Sequence, residues 1–164
     1  MEAVARTRVR LTSDVARVEI ADRTYEGLRA GTVIEVPLWA ADALLRSRVA
    51  EVVDELSVHQ LRQISLRERR SQIEPVPLRE DFYARAKYEL KRTRSSSSEE
   101  ALKLEEALRD VAVPRLYKVC VAAAKGTEPT WLGNLTPEER QLYVRVRELV
   151  EEFLSEVLGS EGDG

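Results

Sequence analysis

At 164 residues the chain suits one domain, or one small domain joined to a helical one, and its 43% hydrophobic residues suffice for a core. The net charge of −3 argues against wholesale binding to nucleic acid or an anionic membrane. Cys120 is the only cysteine, which excludes an intrachain disulfide and a cysteine-based zinc site.

Only five Tyr, two Trp and two Phe are present, so the core is expected to be mainly Leu, Val, Ala and Ile. The charge is uneven: residues 57–94 balance to +5, residues 1–56 to −2 and residues 95–164 to −6. Arg6, Arg8 and Arg10 are followed by no apolar run, so no secretory signal is expected. No stretch approaches the roughly 20 apolar residues of a membrane span.

Over residues 1–31, Val15–Ile20 alternates and predicts a strand, with Val18 and Ile20 on one face; Asp22 and Gly31 punctuate turns. Val33, Ile34 and Val36 are β-branched and predict another strand. Pro37 then pre-sets φ for a helix start. Leu38, Ala41 and Leu45 place an apolar stripe on that helix, which Arg46-Ser-Arg48 ends before a strand over Val49–Val53. Three or four strands carrying one helix are expected over residues 1–55.

Ser57 and Gln60 form a capping box, with Leu56 and Leu61 as a hydrophobic staple, and open a helix striped by Val58, Leu61 and Ile64. Arg67-Glu-Arg-Arg70 reads as nearly all charge, and Pro75 and Pro77 end the element. A helix from about Asp81 to Arg92 carries Phe82, Ala86 and Leu90 on one face, flanked by Tyr83 and Tyr88. Ser95–Ser98 reads as a loop or disordered linker, and Ser97-Ser-Glu-Glu100 as a capping box. A helical pattern then runs to Lys125 through Ala101, Leu104, Leu108, Val111, Leu116, Val119, Cys120 and Ala123, kinked at Pro114 and capped by Gly126. The last helix has Thr136 as N-cap, Pro137 at its first position and Glu139 completing the box. Leu142, Val146, Leu149, Val150, Phe153 and Val157 hold its apolar spacing.

The fold class is therefore α+β: a small β-rich domain over 1–55, an α-helical bundle over 56–158 and a flexible tail over 159–164. Ile34-Glu-Val-Pro-Leu-Trp-Ala40, in its strand-to-helix corner, and Asn134-Leu-Thr-Pro-Glu-Glu139, opening the final helix, resemble the GINS family. The likeness is to its archaeal-type subunits with the small β domain first and the helical domain second. That resemblance implies a non-enzymatic scaffold of the replicative helicase in DNA replication, acting at the fork within the cytoplasm. It implies sister GINS subunits, the MCM helicase and a Cdc45/RecJ-like protein as partners, with primase or polymerase as further contacts.

Leu142, Val146, Leu149, Val150 and Phe153 are the expected subunit interface, because a bundle of this size has little internal area to hide them all. Trp39 is expected to pack in the core or between domains, with partner docking as the alternative. Trp131 is expected to fold back over the core and Cys120 to be a buried thiol. His59 has no second histidine or cysteine beside it, so no metal site is expected. The sequence holds no P-loop, dinucleotide-binding or nucleophile-elbow motif, and neither an enzyme activity nor a cofactor is expected. The rival reading is a DNA-binding accessory factor using residues 62–94, with Arg69, Arg70, Arg92 and Arg94 on phosphates or on an acidic partner.

Overall fold

The computed structural model describes residues 4–53 and 55–159. It is α+β, with antiparallel strands first and helices after them. The tail expected over 159–164 lies, apart from Gly159, outside the described residues.

Among the described residues five strands form, in two sheets, rather than the three or four expected. β1 (Arg6–Leu11) is the centre of a three-stranded antiparallel sheet, between β4 (Val33–Pro37) and β5 (Ala50–Val52). Its period of two explains why: Thr7, Val9 and Leu11 are buried, while Arg8 and Arg10 are exposed. Arg10 stands opposite Glu51 on β5 and pairs with it at 3.0 Å, and Arg6 lies 3.8 Å from Glu35 on β4. β2 (Val15–Ile20) and β3 (Arg23–Leu28) form a hairpin with Ile20 opposite Arg23. Its two-residue turn places Ala21 at φ 57°, a left-handed position that twists the hairpin the right way at a cost to a residue with a Cβ.

α1 (Leu38–Arg46) starts directly after β4, with Pro37 as its N-cap residue. Its core face is Ala40, Ala41 and Leu44, which join Val9, Leu11, Ile20, Ile34, Val36 and Ala50 in one apolar cluster. The expected stripe is therefore rotated: Leu38 and Leu45 are only half-buried. The small Ala40 and Ala41 let the helix approach the sheet closely, which Leu38 or Leu45 on that face would prevent.

α2 (Val58–Arg70), α3 (Phe82–Ser96), α4 (Ser98–Lys125) and α5 (Pro137–Leu158) follow. The serine run is not a disordered linker. It ends α3, leaves Ser97 between helices and starts α4; the Ser95 hydroxyl donates to the Lys91 carbonyl at 3.1 Å and the Ser97 amide to Thr93 at 2.8 Å. α4 runs unbroken through Pro114, as expected for a kinked rather than a split helix. Gly126 follows it at φ 75°.

The chain divides into two compact units. One holds the residues through Ser57 together with Ala84–Ser98; the other holds Val58–Tyr83 and everything from Glu99 onward. One division falls between Ser57 and Val58, and most of α3 groups with the strands and not with the other helices. In the second unit Val119, Ala122, Ala123, Leu135 and Tyr143 form an apolar cluster, with Trp131, Leu132, Leu142 and Val146 packed against it. Trp131 thus folds over the core, as its loop position suggests.

Candidate protein-interaction surface

The helical unit is pinned by ionic groups at its centre. α4 buries one row of residues, and Arg115, not the expected Leu116, occupies it; Leu116 is exposed. The Arg115 side chain is 0% exposed, as is that of Glu68 on α2. Arg115 grips Glu139 with Nε to Oε1 at 2.7 Å and Nη2 to Oε2 at 2.8 Å. Its Nη1 donates to Glu68 Oε2 at 2.9 Å and to the Val76 carbonyl at 2.6 Å, and Nη2 reaches the Asn134 carbonyl at 3.2 Å. All five guanidinium N–H groups thus have an acceptor. Lys118 donates to Glu68 Oε1 at 2.6 Å, so two cations balance two carboxylates.

Glu139 has a second duty. Its Oε2 accepts from the Thr136 amide at 3.0 Å while Thr136 Oγ1 accepts from the Glu139 amide, which is the capping box that starts α5. The Tyr83 hydroxyl donates to Glu139 Oε1 at 2.8 Å. Burial opposes ionisation of Glu139, but hydrogen bonds and attraction from Arg115, with Thr136 and Tyr83, hold its carboxyl below the ordinary range. Burial and the adjacent Glu139 charge push the Tyr83 phenol far above its usual value, so it stays a neutral donor. Asn134 closes the corner by donating to the Pro75 carbonyl at 3.0 Å. Every ionic group here is spent on another, and the assembly is a fastening.

α5 begins in that fastening and leaves it. Tyr143 is buried, and Leu142 and Val146 are half-buried against the apolar cluster. Arg147 reaches the Gly126 carbonyl at 3.3 Å, where α4 ends. Past this point the helix outruns its support: every residue from Glu151 to Gly159 is exposed. The apolar stripe nevertheless continues, with Leu149 at 64%, Phe153 at 61% and Leu158 at 76% exposure, beside Val157 and Leu154. On a 3.6-residue repeat these side chains share one half of the helix. Water-facing Leu, Phe and Val on one stripe form a candidate protein-interaction surface. Of the five expected interface residues, Leu149 and Phe153 lie on this free stretch, Val150 is half-buried, and Leu142 and Val146 serve the core.

Trp39 is 59% exposed and packs in no core, contrary to the expectation that it is buried there. Arg69 and Arg70 belong to the helical unit, Arg92 and Arg94 to the strand-bearing unit. Arg92 is engaged by Glu55 at 2.6 Å and by the buried Glu89 at 2.8 Å. His59 is exposed and meets Gln63 at 3.0 Å. Cys120 is half-buried instead of buried. Among the described residues no group of His, Cys, Asp and Glu is placed to hold a metal ion, and no helix is long and apolar enough to cross a membrane.

Compared with known proteins, the sequence matches no protein-family model and none of the curated proteins.

Proposed function

We propose that the chain is a non-enzymatic structural subunit of a GINS-type complex that scaffolds the replicative helicase in DNA replication. The free stretch of α5 packs against a sister subunit, and the strand-bearing unit serves as a docking arm toward the MCM helicase and the Cdc45/RecJ-like protein. The observation that carries this reading is the apolar stripe of α5, half-buried at Leu142, Val146 and Val150 and exposed at Leu149, Phe153, Leu154, Val157 and Leu158. The order of a small antiparallel β unit before the helices supports it. So do the corner at Pro37 and the Thr136 capping box, each where the resemblance puts it.

The test is co-expression with a sister subunit, followed by size-exclusion chromatography with light scattering. A stable hetero-oligomer that Phe153→Glu and Leu149→Glu abolish, without loss of helicity, is the expected result. A monomer that ignores the sister subunit would overturn the reading. The rival, DNA binding through residues 62–94, finds less support, since Arg92 is already paired and the four arginines are divided between the two units.

A further inference from the structure

Within the strand-bearing unit one face of α1 and one face of α3 line a cleft of about 570 Å³. α1 contributes Leu38, Trp39, Asp42, Leu45 and Arg46, the i, i+1, i+4, i+7, i+8 positions of one helical face. α3 contributes Tyr88, Lys91, Arg92 and Ser95, again one face. The volume is in the range of sites that hold a few side chains or a small ligand.

Three features of the cleft point to the same kind of occupant. Its apolar part is uncovered: Leu38 and Leu45 are half-buried and Trp39 is mostly exposed, with a ring able to bury a large area at small entropic cost. Arg92 is held by Glu89 and Glu55, which leaves Arg46 and Lys91 against Asp42 among the other lining residues. The Arg46–Asp42 pair, at 2.8 Å, is largely in water, so a carboxylate arriving at Arg46 competes with a weak bond. Finally, Tyr88 has a buried hydroxyl without a hydrogen-bond partner, a cost that a bound polar group would relieve.

We propose that this cleft is the docking site for an acidic amphipathic segment of a partner protein, its large apolar side chain on Trp39 and its carboxylates on Arg46 and Lys91. The proposal gives the docking arm a partner chemistry and so extends the reading above, but it rests on the cleft and not on α5. Both lining faces span two helical turns, about 11–12 Å, which suits two turns of a bound helix. The aliphatic floor of Leu38 and Leu45 favours a peptide over a nucleic acid, whose bases and phosphates have no use for it.

The experiment uses the full chain carrying Trp131→Phe, so that Trp39 alone reports. The probes are dye-labelled amphipathic peptides of about 12 residues with Leu or Phe at i, i+4 and i+7 and Glu between, about two to three turns long. Matched peptides with Lys for Glu and single-stranded oligothymidine are the controls. Binding of the acidic peptides is expected to alter Trp39 emission and to weaken with salt. Trp39→Ala, or Arg46→Glu with Lys91→Glu, should each weaken binding about tenfold or more. Tyr88→Phe should weaken it a few-fold. Absence of acidic-peptide binding up to about 1 mM, a Kd indifferent to Trp39→Ala, equal binding of the lysine peptides, or tighter binding of the oligonucleotide would each overturn the proposal. So would a Trp39→Ala change in the oligomeric state of the chain alone, which would make the occupant a second copy. A chain that binds the peptides but ignores a sister subunit keeps the cleft and loses the α5 reading; the converse result does the reverse.

Discussion

The Ser65 hydroxyl on α2 donates to the carbonyl oxygen of Asp110 on α4, at 3.2 Å. Asp110 lies four residues before Pro114, so its carbonyl is the one that the proline, lacking an N–H, leaves without an intrahelical donor. A buried serine on a neighbouring helix thus satisfies the acceptor that an interior proline orphans.

Ser65→Ala should therefore destabilise the chain by about 1–2 kcal/mol, because it strands a carbonyl and not merely a hydroxyl. In a Pro114→Ala background, where the restored backbone amide can supply the bond, the same change should cost distinctly less. A double-mutant cycle by urea denaturation measures the coupling. Additive effects would show that Ser65 acts independently of the proline.

Arg115→Met removes the cation on which two buried carboxylates close. Breaking a buried ion pair on one side costs about 3–5 kcal/mol, since the partners remain desolvated. Arg115→Lys should recover only part of this, because an ammonium cannot fork onto Glu139 while reaching Glu68 and two carbonyls. Chemical denaturation with an unchanged m-value is the check. A loss below about 1 kcal/mol would mean that water enters the network and compensates.

Acid should weaken the helical unit through Glu139. Its folded-state carboxyl lies below the ordinary 4.5, so its stabilising contribution is fully present above that pH. As the pH falls through the folded value the contribution is lost, the unfolded chain having taken up its proton first. Glu139→Gln should lower stability at neutral pH and flatten the decline below pH 4.5. Thermal melts of both proteins over that range decide it; parallel curves would place the acid sensitivity elsewhere.

The two ends of α5 should respond oppositely to substitution. Phe153→Glu and Leu149→Glu, on the exposed stretch, should change monomer stability by no more than about 0.5 kcal/mol. Leu135→Ala, in the fully buried cluster beside the start of α5, should cost about 2–5 kcal/mol. Melting temperatures of the isolated chain measure both. A large loss from Phe153→Glu would show that the stripe already has an intramolecular cover.

What was legible in the sequence was local. The corner at Pro37, the Thr136 capping box, the Gly126 stop and the unbroken passage through Pro114 depend on residues within one or two turns of each other. β1 carries the same kind of local signal, the alternation of Arg6-Thr-Arg-Val-Arg-Leu11, although no strand is expected there. Glu68 and Arg115 were not readable. Each sits in a stretch where a charged side chain normally faces water, and only partners 24 and 47 residues apart make burial tolerable. Ser95–Ser98 has a linker's composition, yet hydroxyl and amide bonds to the preceding turn keep it helical or nearly so. On the candidate surface, the stripe could be drawn from spacing alone, but where it passes from hidden to bare depends on the length of α4 beside it.

Because Glu139 both begins α5 and clasps Arg115, the projecting end of that helix is a lever arm with its fulcrum in the core. Beyond Arg147 the arm extends about 16 Å, so a few degrees of tilt at its root would swing the tip by roughly an ångström. An assembly that grasped the tip would thereby be sensitive to whether the fulcrum is intact, so damage at Arg115 would cost it alignment as well as stability.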